Sequence, residues 1–252
     1  MSFDRIQLSH EILVAAIGDD WPADQVAAAI ELLANSEGKF PAGVRKLPPD
    51  LVKAVQRERL VVAMLMAASE LGYRETNVQD VIDRAGVSRP TFYEHFSNKE
   101  DCFLAAFDTS AARLRHKVDV AAQRGGDSWR DRLRFGLTAL IEFAIAEPET
   151  ARTLIVEARA ASSDAVMRRV QMLEHFAECL DSEVRELLPA GPDCSSVTAS
   201  GVVGGVEALL YSRLCREELD NLEELLPSLM YFAVLPYEGH EAANEELALE
   251  AS

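Results

Sequence analysis

Uninterrupted apolar stretches of about 18 residues, the length that a helix needs to cross a bilayer, are absent from this 252-residue sequence. The first ten residues also lack the basic segment followed by an apolar run that marks a secretory signal. These two absences predict a cytoplasmic protein that does not associate with a membrane.

Cysteine is scarce, and no CxxC pair supplies the spacing of a structural zinc site. The cysteines are widely separated along the chain: Cys102, Cys179, Cys194 and Cys215. We therefore predict reduced thiols and no bound metal. A glycine-rich phosphate loop is also missing, and His116 and His175 occur singly. Since no nucleophile and base or paired acids can be recognised, we predict no catalytic residue, no cofactor and no enzymatic activity.

Positive charge is in deficit, because 25 Lys and Arg oppose 42 Asp and Glu, which gives a formal net charge of −17. This balance argues against nucleic-acid binding, since affinity for duplex DNA comes largely from neutralising phosphates. The distribution of charge along the sequence, however, favours nucleic-acid binding by one segment. Residues 39–99 hold 10 Lys and Arg against 7 Asp and Glu, whereas the segments before and after are acidic. One basic segment in an acidic molecule is typical of a protein that presents a single face to DNA.

Apolar residues recur at intervals of three and four, and Ala, Leu, Glu and Arg dominate, which predicts an all-α fold. We expect Gly72 to end a long helix as a left-handed cap. The predicted helices cover residues 9–17, 22–34, 50–71, 98–123, 128–146, 149–160, 164–188, 196–216 and 221–234, besides two short ones described below.

Breaks in the helical pattern divide the chain into five predicted segments. They are a helical extension (1–38), a basic linker or arm (39–49), a helical segment (50–100) and a helical bundle (101–236), whose roles are inferred below, and an acidic tail (237–252). We expect the tail to fray.

The strongest local pattern is a pair of short helices separated by a glycine. Thr76 with Gln79 resembles a capping box that begins the first helix, and Gly86 ends it. Ser88 then caps the second helix, where Pro90 is tolerated because no N–H is needed in the first turn.

The second short helix is predicted to have an apolar face and a polar face. Phe92 and Phe96, four residues apart, anchor it to the core. The polar side chains left facing outward are Arg89, Thr91, Tyr93 and His95. Two short helices joined by a tight turn form a helix-turn-helix, whose second helix enters the major groove of B-DNA.

This segment resembles the TetR family of bacterial regulators, whose hallmark Gly-Val-Ser-x-x-Thr-x-Tyr-x-His-Phe-x-x-Lys-Glu is complete here between Gly86 and Glu100. The motif portion covers residues 56–107. The resemblance implies a homodimer that binds double-stranded palindromic operator DNA, with a downstream helical bundle for a small-molecule effector and for dimerisation. An extension of about fifty residues before the long helix departs from the usual family pattern.

The resemblance also implies roles for single residues. Arg89 and Thr91 are expected to contact bases, Tyr93 and His95 to contact phosphates, and Lys99 to clamp the DNA backbone. The predicted DNA-binding residues are Thr76, Asn77, Ser88, Arg89, Pro90, Thr91, Tyr93, His95 and Lys99, with Arg45 and Lys46 as hypothetical minor-groove contacts from the basic arm. A solvated linker is the alternative for that arm.

The second half of the chain offers candidates for an effector pocket and a subunit interface. Amphipathic helices that pack obliquely leave cavities, and the candidate lining residues are Leu137, Ile141, Met172, Phe176 and Tyr211. Ordinary core packing is the alternative for each. Small residues in the penultimate helix and an apolar face on the last one predict a dimer interface that includes Gly201, Gly204, Gly205, Leu222, Leu226 and Leu229. The alternative is close packing within one subunit.

These patterns favour a dimeric repressor whose affinity for its operator falls when a small effector binds. Two alternatives stay open. The first is a DNA-binding regulator that has no small effector or that activates transcription. The second is a protein-interaction module that uses the N-terminal extension. An enzyme with an accidental helix-turn-helix is disfavoured because no catalytic pattern is present.

Overall fold

A computed structural model of the protein describes residues 48–188 and 195–249, together with positions 22, 25, 26 and 29. Apart from those four positions, the predicted helices at 9–17 and 22–34 lie outside the described residues. So do Arg45 and Lys46 of the predicted arm, and Cys194.

All regular secondary structure in the described ranges is helical, which confirms the all-α prediction. The α-helices there are α1 Pro49–Leu71, α2 Val78–Ala85, α3 Arg89–His95, α4 Lys99–Ala122, α5 Trp129–Ala146, α6 Pro148–Arg152, α7 Ala158–Ala161, α8 Ser163–Leu187, α9 Ser196–Cys215 and α10 Leu226–Ala248. A π-helical turn, Thr153–Glu157, joins α6 to α7. Among the described residues, no helix combines the length and the apolarity that a bilayer crossing requires.

The helices form two compact units. The first unit contains the described residues up to Thr109 together with Ala160–Ala165. The second contains Ser110–Arg159 and the described residues from Val166 onward. The boundary therefore falls inside α4, nine residues beyond the predicted end of the DNA-binding domain at residue 100.

The first unit is built around a core from α1 to α4. Its largest fully buried side chains include Leu60, Met64, Phe92 and Phe103, each shielded completely from solvent. Because α2 and α3 are short, their position depends on side chains that they contribute to this core rather than on their own helical stability.

The second unit contains a buried ion pair between α4 and the residue that precedes α6. The Arg113 guanidinium donates to both Glu147 carboxylate oxygens, at 2.9 and 2.8 Å. Lys117 lies 3.7 Å from the same carboxylate. Such a bidentate pair fixes the geometry of its partners, since both charges are removed from water.

The end of the chain differs from the prediction of a fraying acidic tail. The last helix continues to Ala248, across a non-helical Gly239 with φ 79° and ψ −175°. Arg130 of α5 pairs with Glu238 at 2.8 Å and with Glu245 at 2.9 Å. Arg134 also contacts Glu246. The prediction was wrong because the acidic side chains find arginine partners on another helix.

The cap of α1 also differs from the prediction. Gly72 has φ 81° and ψ 146°, so it has a positive φ without the left-handed helical conformation. Its N–H still donates to the Ala68 carbonyl at 3.0 Å, which ends the helix at the predicted position.

Candidate nucleic-acid interface

Asn77 is the N-cap of α2, so the predicted Thr76 and Gln79 capping box is wrong by one residue. The Asn77 side chain accepts the N–H groups of Gln79 and Asp80, and the Asp80 carboxylate accepts the Asn77 N–H at 2.8 Å. Thr76 is only 1% exposed and donates its hydroxyl to the Gly72 carbonyl at 2.8 Å. Its hydroxyl is thus committed inside the protein, which argues against the predicted DNA contact.

The turn between α2 and α3 is tied down at both ends. Gly86 adopts a left-handed conformation, with φ 63° and ψ 31°, which a side chain would strain. The buried Arg59 donates its Nε–H to the Ala85 carbonyl at 2.6 Å, satisfying a carbonyl at the end of α2. Val87 in this turn is half-buried against the core.

Ser88 caps α3 as predicted. Its Oγ accepts the Thr91 N–H at 3.2 Å and also lies 2.8 Å from the Thr91 hydroxyl oxygen. The two hydroxyl groups therefore satisfy each other at the start of α3, and both residues remain near the surface.

The two faces of α3 are clearly separated. Phe92 is fully buried and Phe96 nearly so, with ring centroids 5.9 Å apart. On the other side Arg89 and Pro90 are exposed, and Tyr93 is 52% exposed. Arg89 and Tyr93 are four residues apart, so they lie on one face of the helix.

His95 differs from the outward-facing residue predicted from the sequence. It is half-buried, and its Nε2 has no hydrogen-bond partner among the described residues. Burial lowers the pKa of the imidazole, an effect that Glu94 opposes and that Arg57 and Lys53 reinforce. Burial thus disfavours a positively charged ring at this position, which weakens the case for His95 as a phosphate contact.

The Lys99 side chain binds backbone carbonyls of the protein itself. Its ammonium donates to the carbonyls of Tyr73 at 2.9 Å, Arg74 at 3.4 Å and Thr76 at 2.8 Å. The same group lies 4.2 Å from the centre of the Tyr73 ring. Since an ammonium has three hydrogens, these carbonyls use its donors and fix the loop that leads to Asn77. Lys99 was expected to contact the DNA backbone, and in the structure it binds the protein's own backbone.

A cavity of about 390 Å³ lies in the second unit, among α4, α5, α8 and α9. It includes three of the predicted lining residues: Leu137, Met172 and Phe176. The other two predicted residues do not line the cavity. Ile141 is buried elsewhere in the core, and the Tyr211 ring centre lies 4.0 Å from the Arg159 guanidinium carbon. The wall is mainly aliphatic, with polar groups from Asp119, Gln123, Arg132, Glu183 and Glu207.

The predicted interface residues separate into two groups. Gly201 and Gly204 face open space on α9, and Leu226 is half-buried. Leu222 and Leu229 are 1% exposed, so they pack within their own subunit and the prediction for them is wrong. A Cβ on Gly205 would come within 2.6 Å of the Phe232 ring, so this glycine permits close packing inside the subunit.

Sequence reasoning missed a cluster beside the cavity. Asp119, His175 and Cys179 place one potential ligand atom each within 4.8 Å of one another. The available signal was the spacing of four between His175 and Cys179, which brings both side chains to one face of α8. Their proximity to Asp119 depends on the packing of α4 against α8.

Taken together, two short helices, a left-handed glycine between them and an exposed face on the second define a helix-turn-helix DNA-binding domain. Residues 60–106 match the family described as bacterial regulatory proteins, tetR family. This segment, which contains the helix-turn-helix, is therefore similar to the bacterial regulatory proteins of that family.

Individual relatives agree with this assignment. The HTH-type transcriptional activator FasR of Mycolicibacterium smegmatis is 32% identical over 105 residues, which cover 42% of this chain and 48% of FasR. The match therefore spans about half of that relative. Two solved structures share the fold, both at 16% identity. The fatty acid degradation regulator FadR of Bacillus halodurans has a TM-score of 0.63 and covers 71% of this chain and 94% of its own. FadR of Bacillus subtilis has a TM-score of 0.61 and covers 70% and 96%.

Proposed function

We propose that the protein is a dimeric repressor that binds a palindromic operator through α3 and releases it when an apolar small molecule occupies the cavity. The observation that carries the DNA-binding part is the exposure of Arg89, Pro90 and Tyr93 on one side of a helix whose other side is anchored by Phe92 and Phe96. A rigid helix with exposed donors is what major-groove recognition requires.

Three exposed residues of α3 have chemically suitable roles. Arg89 can donate two hydrogen bonds to a guanine edge, a contact worth about 1 to 3 kcal/mol of discrimination. The Tyr93 hydroxyl suits a phosphate oxygen, and Pro90 suits the methyl group of a thymine. Ser88 and Asn77 lie at the beginnings of α3 and α2, where exposed polar groups can contact the DNA backbone.

An apolar surface on α9 and α10 supports the dimer. Val197 is exposed on α9 four residues before the open position Gly201, Leu209 is exposed farther along the same helix, and Phe232 of α10 is 42% exposed. Exposed apolar patches of this kind mark protein interfaces. A twofold dimer would present two copies of α3 about 34 to 36 Å apart, or somewhat more, to a palindrome.

Gly204→Glu tests this interface. A Cβ at this position meets no atom within 4 Å, and replacing a helical glycine adds roughly up to 1 kcal/mol of helix stability. We therefore expect a folded monomer, because the buried charge disrupts only the contact between subunits. Light scattering after size-exclusion chromatography measures the mass. Ala112→Glu, an exposed position on α4, is the control that keeps the dimer. A Gly204→Glu protein that remains a dimer contradicts the proposed interface.

The cavity supports an effector with a long apolar part. Its aliphatic wall suits a hydrocarbon chain, and Arg132 among the lining residues can pair with an anionic group of the ligand. The FadR structure from Bacillus subtilis is a complex with stearoyl-CoA, which gives a first probe. The FasR relative is an activator, so activation is the alternative sign of regulation.

The test starts from random DNA duplexes enriched by binding to the full chain. We expect a palindromic duplex, bound by one dimer, whose affinity falls when stearoyl-CoA is added. Leu137→Trp, which fills the cavity, is expected to bind the same duplex and to lose the response to stearoyl-CoA. Failure to enrich a palindrome would contradict dimeric operator binding. Unchanged affinity in the presence of stearoyl-CoA, other long-chain thioesters and free fatty acids would contradict an acyl effector.

A further inference from the structure

Three side chains of different chemistry converge beside the cavity of the second unit. Asp119 comes from α4, and His175 and Cys179 come from successive turns of α8. Their ligand atoms all lie within 4.8 Å of one another, and each side chain is half-buried. The His175 Nε2 and the Cys179 Sγ are 3.8 Å apart. A carboxylate, an imidazole and a thiol at this spacing are a possible ligand set for a metal ion.

The distances agree with those of a tetrahedral zinc site. With Zn–S near 2.3 Å and Zn–N near 2.0 to 2.1 Å, tetrahedral angles separate sulfur from nitrogen by about 3.6 Å. The observed separation of 3.8 Å needs little adjustment. All three ligand atoms lie within 4.8 Å of one another, so the Asp119 carboxylate has to approach the other two by about an ångström to bind the same ion.

The charge around the thiol also suits a cation. The carboxylates of Asp119, Glu183 and Glu178 all act electrostatically on the Cys179 thiol. Arg132 lies 3.9 Å from Glu183, one of these acidic groups. A divalent ion held at Cys179 would relieve the repulsion among these acidic groups, because it replaces the thiol proton by two positive charges.

We propose that Asp119, His175 and Cys179 bind a single divalent transition-metal ion of the zinc class. Binding replaces the S–H bond of Cys179 by a metal–sulfur bond and releases the proton to solvent. The sulfur and nitrogen donors select zinc-like ions over magnesium and calcium, which prefer oxygen. Three protein ligands leave one position open, and Asp119 and Cys179 also line the cavity, so water or a ligand there completes the coordination. This site does not depend on the proposed operator or effector.

Cobalt(II) is the probe, because a cobalt–thiolate bond gives a charge-transfer absorption band in the near ultraviolet. The full chain is stripped with a chelator, kept reduced and titrated with Co²⁺. We expect saturation at one equivalent, displacement of cobalt by Zn²⁺ and no displacement by excess Mg²⁺.

Variants assign the band to these residues. Cys179→Ser is expected to lose it, while the exposed Cys215→Ser keeps it as the matched control. His175→Gln and Asp119→Asn are expected to weaken cobalt binding by more than about a hundredfold, since even residues that only support metal ligands contribute about 10- to 100-fold. Circular dichroism of each metal-free variant identifies any that fail to fold. The remaining ligand variants then decide the assignment.

Three results would overturn the proposal. They are the absence of the band at one equivalent, a band that survives in folded Cys179→Ser, and full cobalt affinity in folded His175→Gln and Asp119→Asn. Loss of the band in Cys215→Ser alone would place the metal elsewhere and would equally refute the site.

Discussion

Phe92→Ala is expected to destabilise the first unit by about 3 to 5 kcal/mol, because it removes a fully buried aromatic ring and leaves a cavity. The ring lies against Phe96 and belongs to the core that holds α3 beside α1, α2 and α4. Hydrogen exchange of the α2 and α3 amides measures the loss within this unit, since the change in opening free energy is read directly from the exchange rates.

Tyr93→Ala is the matched control for Phe92. It removes the neighbouring aromatic ring, which is 52% exposed, so its effect on stability should be below about 1 kcal/mol. Equal losses at the two positions would mean that α3 is not anchored by its phenylalanine face. The orientation of Arg89 and Tyr93 would then have no structural basis.

Arg113→Met is the second substitution with a large expected effect. It leaves the buried Glu147 carboxylate without its bidentate partner, and breaking such a pair costs about 3 to 5 kcal/mol. Lys117 at 3.7 Å compensates only in part because it is farther away and more exposed. Urea unfolding followed by circular dichroism measures the loss.

The double variant Arg113→Met, Glu147→Leu distinguishes a lost attraction from a stranded charge. Replacing both partners by apolar groups removes the unpaired carboxylate, so we expect the double variant to be more stable than Arg113→Met. Losses that simply add would show that the two side chains do not depend on each other.

The helix-turn-helix could be predicted because its signals are local. Gly86 needs a left-handed conformation, Ser88 caps the next residues, and the spacing of Phe92 and Phe96 is set by the helix itself. Each of these constraints acts within a few residues along the chain, so the sequence pattern is enough to place it. Even here the cap of α2 moved from Thr76 to Asn77, since both residue types can cap a helix.

The features that could not be predicted depend on contacts between distant segments. Lys99 was expected at DNA and instead donates to the loop before α2, because three carbonyls lie within its reach. The acidic end of α10 is ordered by Arg130 of α5. Likewise, Asp119 meets His175 and Cys179 only when α4 packs against α8. Periodicity gives the buried face of a helix but not its neighbour.

The most direct test of the account is the affinity of Arg89→Ala, Tyr93→Ala for the duplex selected by the wild-type chain. The account predicts a loss of at least about a hundredfold, since a base contact and a contact to a charged phosphate are both removed. Arg216→Ala, an exposed arginine of the second unit, is expected to bind as the wild type does. Wild-type affinity in the folded double variant would contradict the assignment of α3 as the DNA-binding helix.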